Sequence, residues 1–107
     1  MVPPIVTIAD ALVARQPGTL ALEVVRKHVA DVITVSEDEL LAATRVLASE
    51  MKLVVEPGGA VAVAAVMTGK LRSAAGPGRT VAILSGGNVS LTKLAGWVEG
   101  GEPTVTA

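Results

Sequence analysis

The apolar mass of this chain is almost all small. Half of its 107 residues are apolar, yet only Trp97 is aromatic, and Ala and Val supply most of the remainder. A core built from such side chains requires elements that approach one another closely, because few residues can reach across a gap. A chain of this length can bury roughly 60–70% of the surface its unfolded form exposes. Complete domains usually anchor that burial on several large side chains. Their scarcity here predicts a chain that packs against something else.

Nine basic residues against ten acidic ones leave a net charge of −1. There is neither a basic stripe nor an aromatic platform for stacking bases, which argues against nucleic acid and anionic membrane surfaces as partners. Without cysteine, a disulfide framework and a thiolate metal site are excluded. The opening Met1-Val2-Pro3-Pro4 lacks the basic start and apolar run of a secretory leader. The longest nearly apolar stretch, 58–68, is too short to span a bilayer. The default reading is a cytoplasmic protein.

Local patterns predict alternating elements. The β-rich run Ile5-Val6-Thr7-Ile8 after two prolines reads as an extended entry. Pro17-Gly18 punctuates the chain, and Thr19 can cap a helix running to about Val29, with Leu20, Val24 and Val25 on one face. Val32-Ile33-Thr34-Val35 reads as a short buried strand. Ser36-Glu37-Asp38-Glu39 is a capping box at the head of a helix to about Met51, burying Leu40, Leu41, Ala43 and Leu47. Leu53-Val54-Val55 is strand-like and ends at Glu56-Pro57-Gly58-Gly59, where Pro57 suits a first helical turn. The Ala/Val run 60–67 is apolar all round, which predicts a buried helix. Residues 73–79 read as a surface loop, 80–84 as a buried strand, and Leu91, Leu94 and Trp97 as one or two helical turns. Residues 1–99 form the predicted domain portion and 100–107 a disordered tail. The alternation implies an α/β fold, a mostly parallel sheet with covering helices.

Ligands in open α/β sheets bind beyond the carboxyl ends of strands, which draws attention to two breaks. In Ser85-Gly86-Gly87-Asn88, two glycines permit close backbone approach while Ser85 and Asn88 offer a hydroxyl and an amide. The same four residues also suit an ordinary tight turn. Glu56 is either an acid at a positive helix end or a carboxylate facing a ligand. His28, the sole histidine, reads as a solvated residue at a helix end. Without a second histidine, zinc hydrolysis lacks its ligands, and with His28 read as solvated, Ser-His catalysis lacks its base. The acidic trio 37–39 reads as a helix start, and no metal site is predicted.

Taken in order, Thr7-Ile8-Ala9-Asp10, Thr34-Val35-Ser36-Glu37-Asp38-Glu39-Leu40, Lys52-Leu53-Val54-Val55-Glu56-Pro57-Gly58-Gly59-Ala60 and Leu84-Ser85-Gly86-Gly87-Asn88-Val89 are more specific than any block alone. The series resembles the C-terminal part of the serine/threonine dehydratase and serine racemase family, pyridoxal-phosphate enzymes of fold type II related to the tryptophan synthase β chain. The resemblance runs from Thr7 to Trp97, with the blocks spaced as in the family. It implies the C-terminal part of a fold type II large domain.

The resemblance also implies roles. Ser85 matches the serine whose hydroxyl faces the cofactor's pyridine nitrogen, where a neutral group moderates the ring as an electron sink. Gly86 and Gly87 would let the backbone pass beside the ring, and Glu56 and Gly59 match a loop near it. In the racemase branch, Lys52 and Asn88 match positions that contact an activating nucleotide. The chain departs from the family at Ala11, where glycine is usual. The family's cofactor-linking lysine, phosphate cup and substrate-carboxylate loop all fall outside these blocks, so none of its lysines is predicted to be catalytic. The resemblance therefore implies a pyridoxal-phosphate ammonia-lyase portion that takes threonine or serine to a keto acid and ammonia. Its expected partners are a missing N-terminal portion, a second copy of the chain and a small amino-acid substrate. A racemase portion, a non-catalytic assembly module and an unrelated small regulatory domain are the alternatives.

Overall fold

From its amino end the chain forms a 3-10 turn over Asp10–Leu12, then α1 over Thr19–His28 and α2 over Glu37–Ser49. A second 3-10 turn, Pro57–Ala60, leads directly into α3 over Val61–Met67, and α4 spans Leu91–Val98. These elements come from a computed structural model that describes Pro3 and residues 5–71 and 78–100. Residues 101–107 of the expected tail and most of the expected loop 73–79 lie outside the described residues.

The capping box forms as the sequence requires. Ser36 Oγ accepts from the Glu39 N–H at 3.1 Å, and the Glu39 carboxylate accepts from the Ser36 N–H at 2.7 Å. These two bonds satisfy donors that the first turn of α2 would leave unpaired. At α4 the Ser90 hydroxyl accepts from the Lys93 N–H. Helix α1, by contrast, starts at Gly18 with no side-chain cap, rather than on the Thr19 hydroxyl.

Helix α2 is the hub. It buries Leu40, Leu41, Ala43, Thr44 and Leu47, and α3, α4 and the 57–60 turn pack on it. Ile8, Ala9, Val55, Ala60, Ala64, Leu94 and Trp97 complete the core. Thr44 is the one buried polar side chain there, and it donates to the Leu40 carbonyl at 2.9 Å, so its hydroxyl is satisfied within its own helix. Arg45 Nε donates to the Trp97 carbonyl, tying α2 to the end of α4. The small residues do what their size allows: Ala43, Ala60 and Ala64 are fully buried at helix contacts that larger side chains would hold apart.

The expected sheet is not there. No strand occurs among the described residues, and the mostly parallel sheet is corrected to a helical assembly joined by irregular segments. Segments 5–8, 32–35, 53–55 and 80–84 have strand-like composition, but a strand exists only as one side of a ladder. Between the 53–56 and 85–88 segments the ladder amounts to one bond, from the Glu56 N–H to the Gly86 carbonyl at 3.1 Å. Nor are these segments uniformly buried: Val32 is 73% exposed, Val81 86% and Ile83 73%. Helix α3 is likewise covered on one side only, burying Ala64 and Ala65 while Val66 and Met67 stand exposed. Helix α1 buries nothing, and its Leu20, Val24 and Val25 face is open. The chain spreads as a slab of 41 × 35 × 19 Å.

Candidate functional site

The two sequence breaks meet in space. The Glu56 N–H bond to Gly86 sets the 85–88 loop against the turn at 56–59, and the glycines make that approach possible. A Cβ on Gly59 would lie 2.7 Å from the Gly86 carbonyl oxygen, and one on Gly87 would lie 2.7 Å from the Val54 carbonyl oxygen. The space a Gly86 side chain would need is filled by the Glu56 carboxylate. Within this chain, Gly59 and Gly87 are required by the backbone contact between the two segments, whereas at Gly86 the obstacle is a side chain that can rotate.

The paired segments divide two hollows. One is an apolar groove of about 490 Å³, whose walls include Ile33, Val35, Val61, Ala62, Val81 and Ser85. Gly58 and Gly59 form part of its floor. Ser85 supplies a hydroxyl there that makes no hydrogen bond among the described residues, so it is available to a ligand. A groove of this volume, lined mostly by aliphatic residues with one hydroxyl-bearing residue among them, could take a small molecule once its exposed Val81 and Ile83 are covered.

The other hollow is a polar cavity of about 90 Å³ at Glu56 and Asn88. Thr7, Asp10, Ser90, Lys93 and Trp97 also line it. Of the residues singled out from sequence, Ser85 and Gly59 thus belong to the groove, and Glu56 and Asn88 to the cavity. Lys52 lines neither. It sits just past α2 in the left-handed region, with φ 58°, and its ammonium donates to the Ser49 carbonyl at 2.6 Å. The two residues matched to a nucleotide contact are therefore not brought into one pocket within this chain. Ala11 packs near Gly58, where a Cβ on the glycine would lie 3.7 Å from the alanine methyl.

Sequence reasoning passed over Asp10, Ser90, Lys93 and Trp97 as site residues. Ser90 carried a usable signal, a capping serine ahead of an apolar helical repeat, but the convergence of three separate segments on one cavity has no local signature. No group of three or more His, Asp or Glu side chains suited to a metal ion occurs among the described residues. No described helix is long and apolar enough to cross a membrane.

The groove fits the cofactor that the sequence resemblance implies. A flat heteroaromatic ring can lie between aliphatic walls, and the unpartnered Ser85 hydroxyl can meet a ring nitrogen. Comparison with known proteins points the same way. Residues 1–86 match the family model described as pyridoxal-phosphate dependent enzyme. The chain is 40% identical over 89 residues to an L-threonine dehydratase catabolic TdcB of Escherichia coli strain K12, covering 83% of this chain and 27% of that protein. A Staphylococcus aureus protein of the same description is 40% identical over 96 residues, covering 89% of this chain and 28% of its own length. An L-threonine ammonia-lyase of Geobacter sulfurreducens is 36% identical over 100 residues, covering 94% and 24%. The chain therefore spans about a quarter of the length of these curated relatives. With the family model matched over most of its residues, the chain belongs to the pyridoxal-phosphate dependent enzyme family.

Proposed function

We propose that this chain is the C-terminal portion of a pyridoxal-phosphate-dependent ammonia-lyase acting on threonine or serine, and that it lines the cofactor pocket without completing it. The observation that carries the reading is the unpartnered Ser85 hydroxyl on an apolar groove, in a chain 36–40% identical to threonine dehydratases and an ammonia-lyase. Ser85 would hold the ring through a neutral hydrogen bond, and the aliphatic walls would exclude water from it. Glu56 would lie on the far side of the 85–88 loop and keep that loop in place. When bound, the cofactor supplies an electron sink for the charge that develops as the amino acid loses its α-proton. The family's cofactor-linking lysine and phosphate-binding elements would come from an N-terminal portion, with which this chain would assemble, most simply as part of a homodimer. The relatives, threonine dehydratases and an ammonia-lyase, favour the lyase over the racemase alternative.

Reconstitution tests this reading. The chain alone, mixed with pyridoxal phosphate and reduced with borohydride, should show no stoichiometric label on a single lysine and no keto-acid production from threonine. Combined with the N-terminal portion of the Escherichia coli relative, it should restore activity. In the reconstituted enzyme, Ser85→Ala should weaken cofactor binding by about 0.5–1.5 kcal/mol. Ser85→Asp should change the product ratio, because a carboxylate favours a protonated ring nitrogen. A catalytically active, singly labelled chain on its own, or Ser85 variants with unchanged affinity and products, would overturn the reading.

A further inference from the structure

We infer that Glu37 is a positioning residue, whose carboxylate clasps the 7–9 segment and thereby fixes one wall of the cavity lined by Asp10, Glu56 and Lys93. Glu37 is the first residue of α2, and an acid there suits the positive helix end. Its contacts go further than that. One carboxylate oxygen accepts from the Thr7 hydroxyl and the other from the Ile8 N–H at 3.0 Å. The Thr7 hydroxyl in turn accepts from the Ala9 N–H at 3.1 Å. Because no strand ladder runs along 5–9, these bonds hold the segment's backbone in place together with the one from the Leu12 N–H to the Ala9 carbonyl at 2.9 Å.

The two neighbouring acids do not share this arrangement. Glu39 is committed to the capping box and to Lys70, and Asp38 has no partner among the described residues. Glu37 alone reaches from α2 to the amino-terminal segment.

What the clasp holds is the cavity wall. Thr7, Ile8 and Asp10 line the cavity together with Glu56 and Pro57, and Ile8 and Ala9 are each only 5% exposed. The following turn rests on the 57–60 turn, where a Cβ on Gly58 would lie 3.4 Å from Leu12 Cγ. Releasing Glu37 would free the Thr7 hydroxyl and the Ile8 N–H together. Asp10 would lose its fixed place, and the wall beside Trp97, another lining residue, would loosen. The bearing of the clasp on catalysis rests on the reading that Glu56 and the 85–88 loop serve the cofactor. The clasp itself does not rest on it.

The test uses the full chain and needs no cofactor, so it can fail or succeed independently of the reconstitution above. Amide exchange at Ile8 and Ala9 reads the clasp, and acrylamide quenching of Trp97, the only aromatic residue, reads the cavity wall. Glu37→Ala and Thr7→Val should each speed exchange at both amides about tenfold or more and increase Trp97 quenching. Glu37→Gln keeps one acceptor oxygen and should show a smaller effect. Thr7→Ser keeps the hydroxyl and Asp38→Asn removes only a first-turn charge, so both should match the wild type. If Asp38→Asn reproduces Glu37→Ala, or if Glu37→Ala leaves exchange and quenching unchanged, the inference fails. Should Glu37→Ala not fold, Thr7→Val against Thr7→Ser decides, and equality of that pair overturns the inference.

Discussion

Glu39 serves two structures at once. One of its oxygens closes the capping box with the Ser36 N–H and also receives the Lys70 ammonium at 2.8 Å, while that ammonium donates to the Thr34 carbonyl as well. Lys70, three residues past the end of α3, is in this way pinned to the start of α2. The Lys70 hydrogen bond, followed by the Ser36 N–H, holds the Glu39 carboxyl below its ordinary value of 4.5. A carboxylate depressed in the folded state stabilises the fold above its unfolded pKa, and that contribution is lost as the pH falls through the folded value. The melting temperature should accordingly drop on acidification below about 4.5. Lys70→Met removes the largest cause of the shift and should flatten that part of the curve. Parallel melting curves for wild type and variant against pH would show that the pair contributes nothing, as many exposed ion pairs do.

Among elements, what could be read in advance depended on how local the signal was. The start of α2 was legible because Ser36 and Glu39 are three residues apart and cap each other's backbone. The core face of α2 followed from its apolar spacing. The strand-like segments were misread because Val, Ile and Thr record only a preference for extended backbone, whereas a ladder needs a neighbour at the right distance. The candidate site divided the same way. Ser85 and Glu56 stood out beside glycine and proline, but Asp10, Ser90, Lys93 and Trp97 become neighbours only once the irregular segments are placed.

The closeness of the 54–59 and 85–88 segments gives an element-scale prediction. Gly87→Ala would drive a methyl group against the Val54 carbonyl, and Gly59→Ala would drive one against Gly86. In each case the obstacle is backbone, which cannot rotate away. Each should cost about 1–3 kcal/mol in urea unfolding. Gly96 lies within α4 with nothing within 4 Å of an added Cβ, so Gly96→Ala should stabilise by about 0.5–1 kcal/mol. Equal effects at Gly87 and Gly96 would mean that the two segments are not held as closely as described.

For the whole molecule, the uncovered apolar surface dominates. The open face of α1, Val66 and Met67 of α3, and Val32, Val81 and Ile83 leave many large apolar side chains uncovered, and contiguous patches of that kind are rare on soluble monomers. Sedimentation should therefore show self-association or aggregation that rises with concentration. Addition of an N-terminal complement should suppress it. A monodisperse monomer across concentrations would refute this. The slab's thin dimension of 19 Å is barely two helix diameters, so no residue lies far from a face. For selection, the consequence is a division of labour among positions. A substitution at Leu47 or Trp97 is felt by this chain's own fold, whereas drift at Val81 or Ile83 leaves that fold indifferent and is constrained by the groove they line and by whatever comes to cover it.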